Sequence, residues 1–174
     1  MIEHIPELVK AGIDSFKIEG RVKSAYYTAV TANAYRTELE KYLRDPGGYV
    51  FDGESLRELE SVSHREYCTG YYFDHPMLNA QLTENGGYIK EKAFLSTVES
   101  YDPDSHRAVM IQRNKAVSGE EAEIISPGGG ARVFRFTDMR NEEGELIESA
   151  PHPQMRYSVL MPFDVKPGDI IRGK

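Results

Sequence analysis

A chain of 174 residues with 40% hydrophobic and 28% charged residues, a formal net charge of −7 and a mean hydropathy of −0.53 describes one medium globular domain, or a small domain with a fragment of another. These values exclude a disordered chain and a surface generally coated with nucleic acid, and no run is long enough to span a membrane. The single cysteine, Cys68, excludes an internal disulfide and any metal or cluster site built from this chain's cysteines alone.

Met1-Ile2-Glu3-His4 is neither basic nor apolar, so it does not read as an export signal, and with the lone cysteine it points to the cytoplasm. Ile5, Leu8 and Val9 then fall at helical spacing, with Pro6 in a first turn and Gly12 just past the end. Setting Ile13, Phe16 and Ile18 against Lys17 and Glu19 predicts a short strand, Ile13–Glu19, ended by Gly20. From Ser24 to about Leu43 a long helix follows, with Tyr27, Val30 and Ala34 on its apolar stripe, and Asp45-Pro46-Gly47-Gly48 stops it. Helix, strand, helix is a unit of an α/β fold, but a lone strand has no parallel neighbour. Residues 1–44 therefore read as the tail of a larger α/β domain.

Lys17, Glu19 and Arg21 sit at the carboxyl end of that strand, where open α/β sheets and (β/α) barrels place their ligands. The competing reading is a salt-bridged loop. A shorter helix over residues 53–62 has Ser55 and Glu58 at capping-box spacing and delivers His64 and Arg65 at its end. That pair suits an anion or carboxylate, or it simply offsets the helix dipole. Tyr71-Tyr72-Phe73 reads as packing at a domain junction, with base stacking as the alternative.

Gln81 to Lys92, with Gly86-Gly87 and few apolar residues, marks a domain boundary and places a linker at 75–93 between a first region, 1–74, and a second, 94–174. Beyond them the texture changes to short strands between turn signals. Phe94–Tyr101, Arg107–Gln112, Ala122–Ile125, Arg132–Phe136, Leu146–Glu148, Tyr157–Met161 and Asp169–Arg172 predict a small closed antiparallel barrel. Gly128-Gly129-Gly130 lacks the Lys-Ser/Thr of a phosphate loop and reads as a loop tip. Arg107, Arg113, Arg132 and Arg135 lie among ten basic and thirteen acidic residues in 94–174, so they read as ordinary solvated strand residues.

Several stretches taken together, Ile2-Glu3-His4-Ile5-Pro6-Glu7-Leu8, Gly12 to Arg21, Ser63-His64-Arg65 and Ala150-Pro151-His152-Pro153-Gln154, resemble the peptidase U32 family of collagenase-like proteases over nearly the whole chain. The resemblance implies an α+β fragment: the C-terminal tail (helix-strand-helix) of a (β/α)-barrel-like domain, then a small antiparallel β-barrel similar to the second domain of elongation factor Tu. It implies two kinds of activity, collagen-directed proteolysis and the hydroxylation of tRNA or ribosomal RNA, the latter with an iron–sulfur cluster. The cysteine-bearing signature of the family is absent here and Cys68 does not sit in it. The expectation is therefore a segment without complete catalytic machinery and without a cofactor of its own, partnered by an upstream catalytic domain and by tRNA, ribosomal RNA or a protein substrate. Lys17, Glu19 and Arg21 would face the mouth of a pocket, Lys17 and Arg21 holding a phosphate or carboxylate and Glu19 orienting them or acting as a base, with His64 and Arg65 as further pocket residues. The alternative is a binding module, a β-barrel for RNA or protein with no enzymatic role.

Overall fold

The computed structural model describes residues 1–65, 67–73 and 92–174, and its contacts divide the chain into two units, Met1–Glu91 and Lys92–Lys174. Except for Lys92 and Ala93, the expected linker 75–93 lies outside the described residues.

In the first unit a 3-10 turn, Ile2–His4, runs into α1 (Ile5–Lys10), followed by α2 (Ala25–Arg44) and α3 (Glu54–Glu60). Ser24 caps α2: its backbone is extended and its hydroxyl accepts the Tyr27 N–H at 3.2 Å. The buried stripe of α2 is Tyr26, Val30, Ala34 and Tyr42, so Tyr26 takes the core position expected of Tyr27. Two small clusters result. Ile2, Ala34 and Leu59 pack with Phe51 and Leu56, and Ile5, Leu8 and Tyr42 pack with Phe16, Leu39 and Tyr49. The capping box expected at Ser55 does not form. Ser55 is buried inside α3, the helix starts one residue after a left-handed Gly53 (φ 77°), and Asp52 accepts the Glu54 N–H at 2.9 Å instead.

The strand expected over Ile13–Glu19 is not a strand in this chain. Among the described residues this segment joins no ladder, because a strand is defined by the neighbour that takes its backbone N–H and C=O groups. Its apolar side chains are left partly open, Ile13 at 38% and Ile18 at 39% of full exposure.

The second unit carries β1 (Phe94–Asp102), β2 (Arg107–Gln112), β3 (Ala116–Val117), β4 (Glu121–Ile125), β5 (Arg132–Arg135), β6 (Thr137–Arg140), β7 (Ser149–Ala150), β8 (Arg156–Leu160) and β9 (Ile170–Gly173). Seven of them form one antiparallel sheet in the order β5-β4-β9-β1-β2-β8-β6, and β3 pairs with β7. The two edge strands, β5 and β6, are separated in sequence by Phe136 alone. The sheet therefore curls until its edges share a corner. The corner is made by the chain itself: the Phe136 N–H donates to the Glu120 carbonyl and its carbonyl accepts from Gly119. The closed barrel expected from the sequence is thus a curled sheet with no β5–β6 ladder among the described residues.

Alternation along β2 and β8 turns Ala108, Met110, Tyr157 and Val159 inward onto Val98, Ile124, Phe134, Phe136 and Ile171. Ser96 Oγ and Tyr157 Oη pair within this core at 2.6 Å. The strand expected at Leu146–Glu148 lies instead at Ser149–Ala150, and Leu146, bridged singly to Arg140, is exposed. Gly128-Gly129-Gly130 is part of the β4–β5 loop, as read from sequence. Among the described residues no helix is long and apolar enough to cross a membrane.

Candidate functional site

The end of α1 sets the geometry of the first unit's groove. Ala11, Gly12 and Ile13 donate their N–H groups back to Glu7, Val9 and Leu8, with Gly12 left-handed at φ 76°, and the chain leaves the helix fully turned. It then runs without regular secondary structure to a turn closed by Lys23 N–H on the Gly20 carbonyl at 2.9 Å. A Cβ at Gly20 would stand 3.3 Å from the Tyr27 ring, a contact tight enough that the ring would have to give way by a few tenths of an ångström.

Between this segment and α2 lies a groove of about 460 Å³. Ile13, Phe16, Lys17 and Ile18 line one side, Tyr27, Thr31 and Tyr35 the other, and Tyr67 and Tyr72 complete it. Tyr27, Thr31 and Tyr35 are spaced by four residues, which puts them on one face of α2. Burial, followed by the neighbouring Tyr27 and Tyr72 phenols, raises the pKa of Tyr35, and burial raises that of Tyr67. Both rings therefore stay neutral well above pH 7.

Of the five residues singled out from the sequence, only Lys17 lines this groove. Glu19 is exposed and its carboxylate accepts the Arg21 N–H at 2.8 Å, a local turn contact. Arg21 is exposed as well. His64 is buried, its Nδ1 is 2.8 Å from the Val62 carbonyl, and its ring stacks on Tyr67 at 4.9 Å and 6°. It lines a second groove of about 550 Å³ with Met1, Glu3, Glu60 and Cys68, while Arg65 is exposed and lines neither. The five do not converge on one point.

The sequence reading missed two things. Lys23 ties the segment down, donating to the Ser63 carbonyl at 3.0 Å and lying 5.4 Å from the centroid of the Tyr27 ring. The second is that Tyr27, expected on the apolar stripe, lines a groove with Tyr35. Its signal is present in the sequence as Tyr27 and Tyr35 bracketing Thr31 at helical spacing, but that pattern is the same for a core face and a groove wall. Tyr71, Tyr72 and Phe73 are exposed at 69%, 66% and 54%, with Phe73 4.4 Å from the His4 ring.

In the second unit the arginines are held by local partners. Arg107 binds the carboxylate and carbonyl of Asp138, Arg135 binds Glu121, and Arg132 lies 4.1 Å over the Phe163 ring. An iron–sulfur cluster does not fit this chain: it needs several cysteine thiolates, the chain has Cys68 alone, and no group of three or more His, Cys, Asp and Glu able to hold a metal occurs among the described residues.

A helical unit with an open aromatic groove followed by a curled antiparallel sheet defines a two-part α+β protein. The chain belongs to peptidase family U32: residues 1–81 match the sequence profile of peptidase family U32 and residues 90–172 that of the peptidase family U32 C-terminal domain. It is 29% identical over 172 residues to tRNA hydroxylation protein P1 of Bacillus subtilis (strain 168), covering 99% of this chain and 41% of that protein. It is 24% identical over 173 residues to a collagenase of Porphyromonas gingivalis, covering 97% of this chain and 46% of that protein. The chain thus spans less than half the length of either relative. A solved structure, the C-terminal domain of a Geobacillus thermoleovorans protein described as a U32 peptidase, is 25% identical with a TM-score of 0.45, over 47% of this chain and 91% of that one.

Proposed function

We propose that this chain supplies a substrate-binding wall and a β docking unit to a longer protein that acts on RNA, with the catalytic machinery held mostly by residues outside this sequence. The observation that carries the reading is the segment 13–20 between α1 and the turn before α2. It presents exposed apolar side chains and unladdered backbone beside a groove lined by Lys17 and four tyrosines, which is one side of a ligand site. In this reading an upstream (β/α)-barrel-like domain pairs with the segment, and any iron–sulfur cluster sits on cysteines of that domain. Lys17 at the groove and Arg21 on the exposed turn after it hold phosphate or carboxylate, and Glu19, His64 and Arg65 are further contacts outside that groove. In the same reading the β unit is taken to resemble the second domain of elongation factor Tu and to dock the RNA. A relative named for tRNA hydroxylation, aligned over 99% of the chain, supports RNA as the substrate class. A relative named collagenase supports a second reading, in which the same wall binds an extended peptide.

The test is salt-dependent binding of tRNA by the 174-residue chain, compared with Lys17→Ala and Arg21→Ala. The expected result is binding whose salt slope drops by about one unit for each phosphate contact removed, with the melting temperature nearly unchanged. Absence of binding at any salt, or a large loss of stability in the variants, overturns it.

A further inference from the structure

The second groove of the helical unit carries the opposite charge to the first. Among the described residues that line it, Glu3 and Glu60 are acidic and none is Lys or Arg, whereas the first groove has Lys17 as its one charged side chain. Glu60, half-buried at the end of α3, makes no ion pair or hydrogen bond among the described residues, and Glu3 meets His4 at 3.4 Å. A third acceptor stands on the same wall. His64 is 8% exposed, and its Nδ1 is 2.8 Å from the Val62 carbonyl, which can only accept, so Nδ1 carries the proton and the neutral ring keeps its lone pair on Nε2. Tyr67 covers one face of the ring, Nε2 has no hydrogen-bond partner among the described residues, and unlike Thr31 Oγ1 and Glu38 Oε2 it is not sealed from solvent. Since His64 lines the groove, its unbonded edge opens there. Buried polar groups are nearly always paired, so this acceptor marks a place for a ligand's donor.

We infer that this second groove binds a protonated alkylamine, its ammonium on the Glu60 carboxylate and the His64 lone pair within the field of Glu3, and its carbon chain along Ile2, Leu56 and Leu59. The site is separate from the RNA reading above and stands without it. An ammonium carries three donors and no acceptor, which matches a wall of two carboxylates and a lone pair, whereas a phosphate or carboxylate would be repelled by the same wall. A metal ion is the poorer match. Hard cations require several oxygen ligands, the rest of this wall is largely apolar, and no group of three or more His, Cys, Asp and Glu able to hold a metal occurs among the described residues. Tyr35 and Tyr67 line the groove as well, and aromatic faces attract an organic cation. The Tyr67 hydroxyl is already committed, donating to the Leu59 carbonyl at 2.9 Å, so it does not compete as a donor for the acceptors of the wall.

The experiment titrates diaminobutane, butanediol and magnesium chloride by calorimetry into the 174-residue chain and into its Glu60→Gln, Glu3→Gln and Glu54→Gln variants. Glu54 begins α3, is exposed and does not line the groove, so it controls for general charge. None of the three carboxylates is buried, and all three variants should keep the parent melting temperature. The expected result is saturable binding of diaminobutane alone, weakened about fivefold by Glu60→Gln, measurably by Glu3→Gln, and not at all by Glu54→Gln. At about pH 8, where ordinary imidazoles are neutral, nitrogen NMR should show His64 protonated on Nδ1, and its Nε2 resonance should move when the diamine is added. Absence of saturable diaminobutane binding, equal binding of butanediol or magnesium, equal weakening by Glu54→Gln, or an Nε2 resonance that stays in place each overturns the site.

Discussion

Arg172 Nε donates to Glu123 Oε2 at 2.7 Å across the β9–β4 ladder, and Lys92 Nζ lies 2.8 Å from both oxygens of the same carboxylate. Arg172 is 1% exposed and Glu123 8%. Removing one member leaves a buried charge short of its partner, so Glu123→Ala should destabilise the β unit by about 3–5 kcal/mol. Urea denaturation followed by a probe in the β unit reads this directly, and a loss below about 1 kcal/mol would show that the pair is dispensable.

The same carboxylate makes stability depend on pH. Burial pushes the Glu123 carboxyl up, but the hydrogen bonds from Lys92 and Arg172 outweigh it and hold the group below its ordinary value of 4.5. A depressed carboxyl contributes its full stabilisation above the unfolded value and loses it as pH falls through the lower folded value. The urea midpoint of the β unit should therefore fall as pH drops below about 4.5. In Glu123→Gln this part of the decline should flatten. An unchanged acid limb in the variant would assign the decline to other carboxylates.

Phe136 is the one residue between the edge strands β5 and β6 and is 1% exposed, with Phe134 at 5.1 Å and Tyr157 at 6.4 Å. Its truncation opens a cavity where the sheet turns from one edge to the other. Phe136→Ala should cost about 3–5 kcal/mol, and amide exchange should rise in β5 and β6 before it rises in β2. Uniform acceleration over all strands would mean that the corner is not a separate weak point.

Much of the β unit was legible because the period-2 signal is local. Arg107–Gln112 alternates inward and outward as its sequence alternates, and it forms a strand with the expected bounds. Thr137–Arg140 was not legible, since Asp138 is a non-glycine residue at φ 49° whose carboxylate and carbonyl are bound by Arg107, 31 residues away in sequence. In the helical unit, Ser24 and the Asp45-to-Gly48 stop bound α2 within a residue, because caps and breakers are local as well. The segment Ile13–Glu19 shows the limit. Its alternation is that of a strand, but pairing depends on a neighbour that the alternation does not supply. The candidate site divides the same way: charges at Lys17, Glu19 and Arg21 could be read off, while their separation, with only Lys17 at the groove, is a three-dimensional fact.

Glu38 is fully buried on α2, and Tyr49 donates to its Oε1 at 2.9 Å. Burial first, then the bond to Glu38, raises the Tyr49 phenol, so it remains a donor throughout the ordinary pH range. Tyr49→Phe removes the donor and leaves a buried carboxylate underpaired, at a cost of about 1.5–3 kcal/mol. The loss should appear in the melting of the helical unit and not in that of the β unit. A variant as stable as the parent would mean that water replaces the phenol.

Ser24 positions the groove through the first turn of α2. Its hydroxyl takes the Tyr27 N–H, and Tyr27 is the groove residue whose ring also faces Gly20 and Lys23. Ser24→Ala should cost about 1 kcal/mol of helical stability, and Ser24→Asp should restore it, since a carboxylate accepts the same N–H and favours the helix start. If the capped turn also fixes the ring, Ser24→Ala should weaken tRNA binding and Ser24→Asp should recover it. Recovery of stability without recovery of binding would separate the cap from the groove.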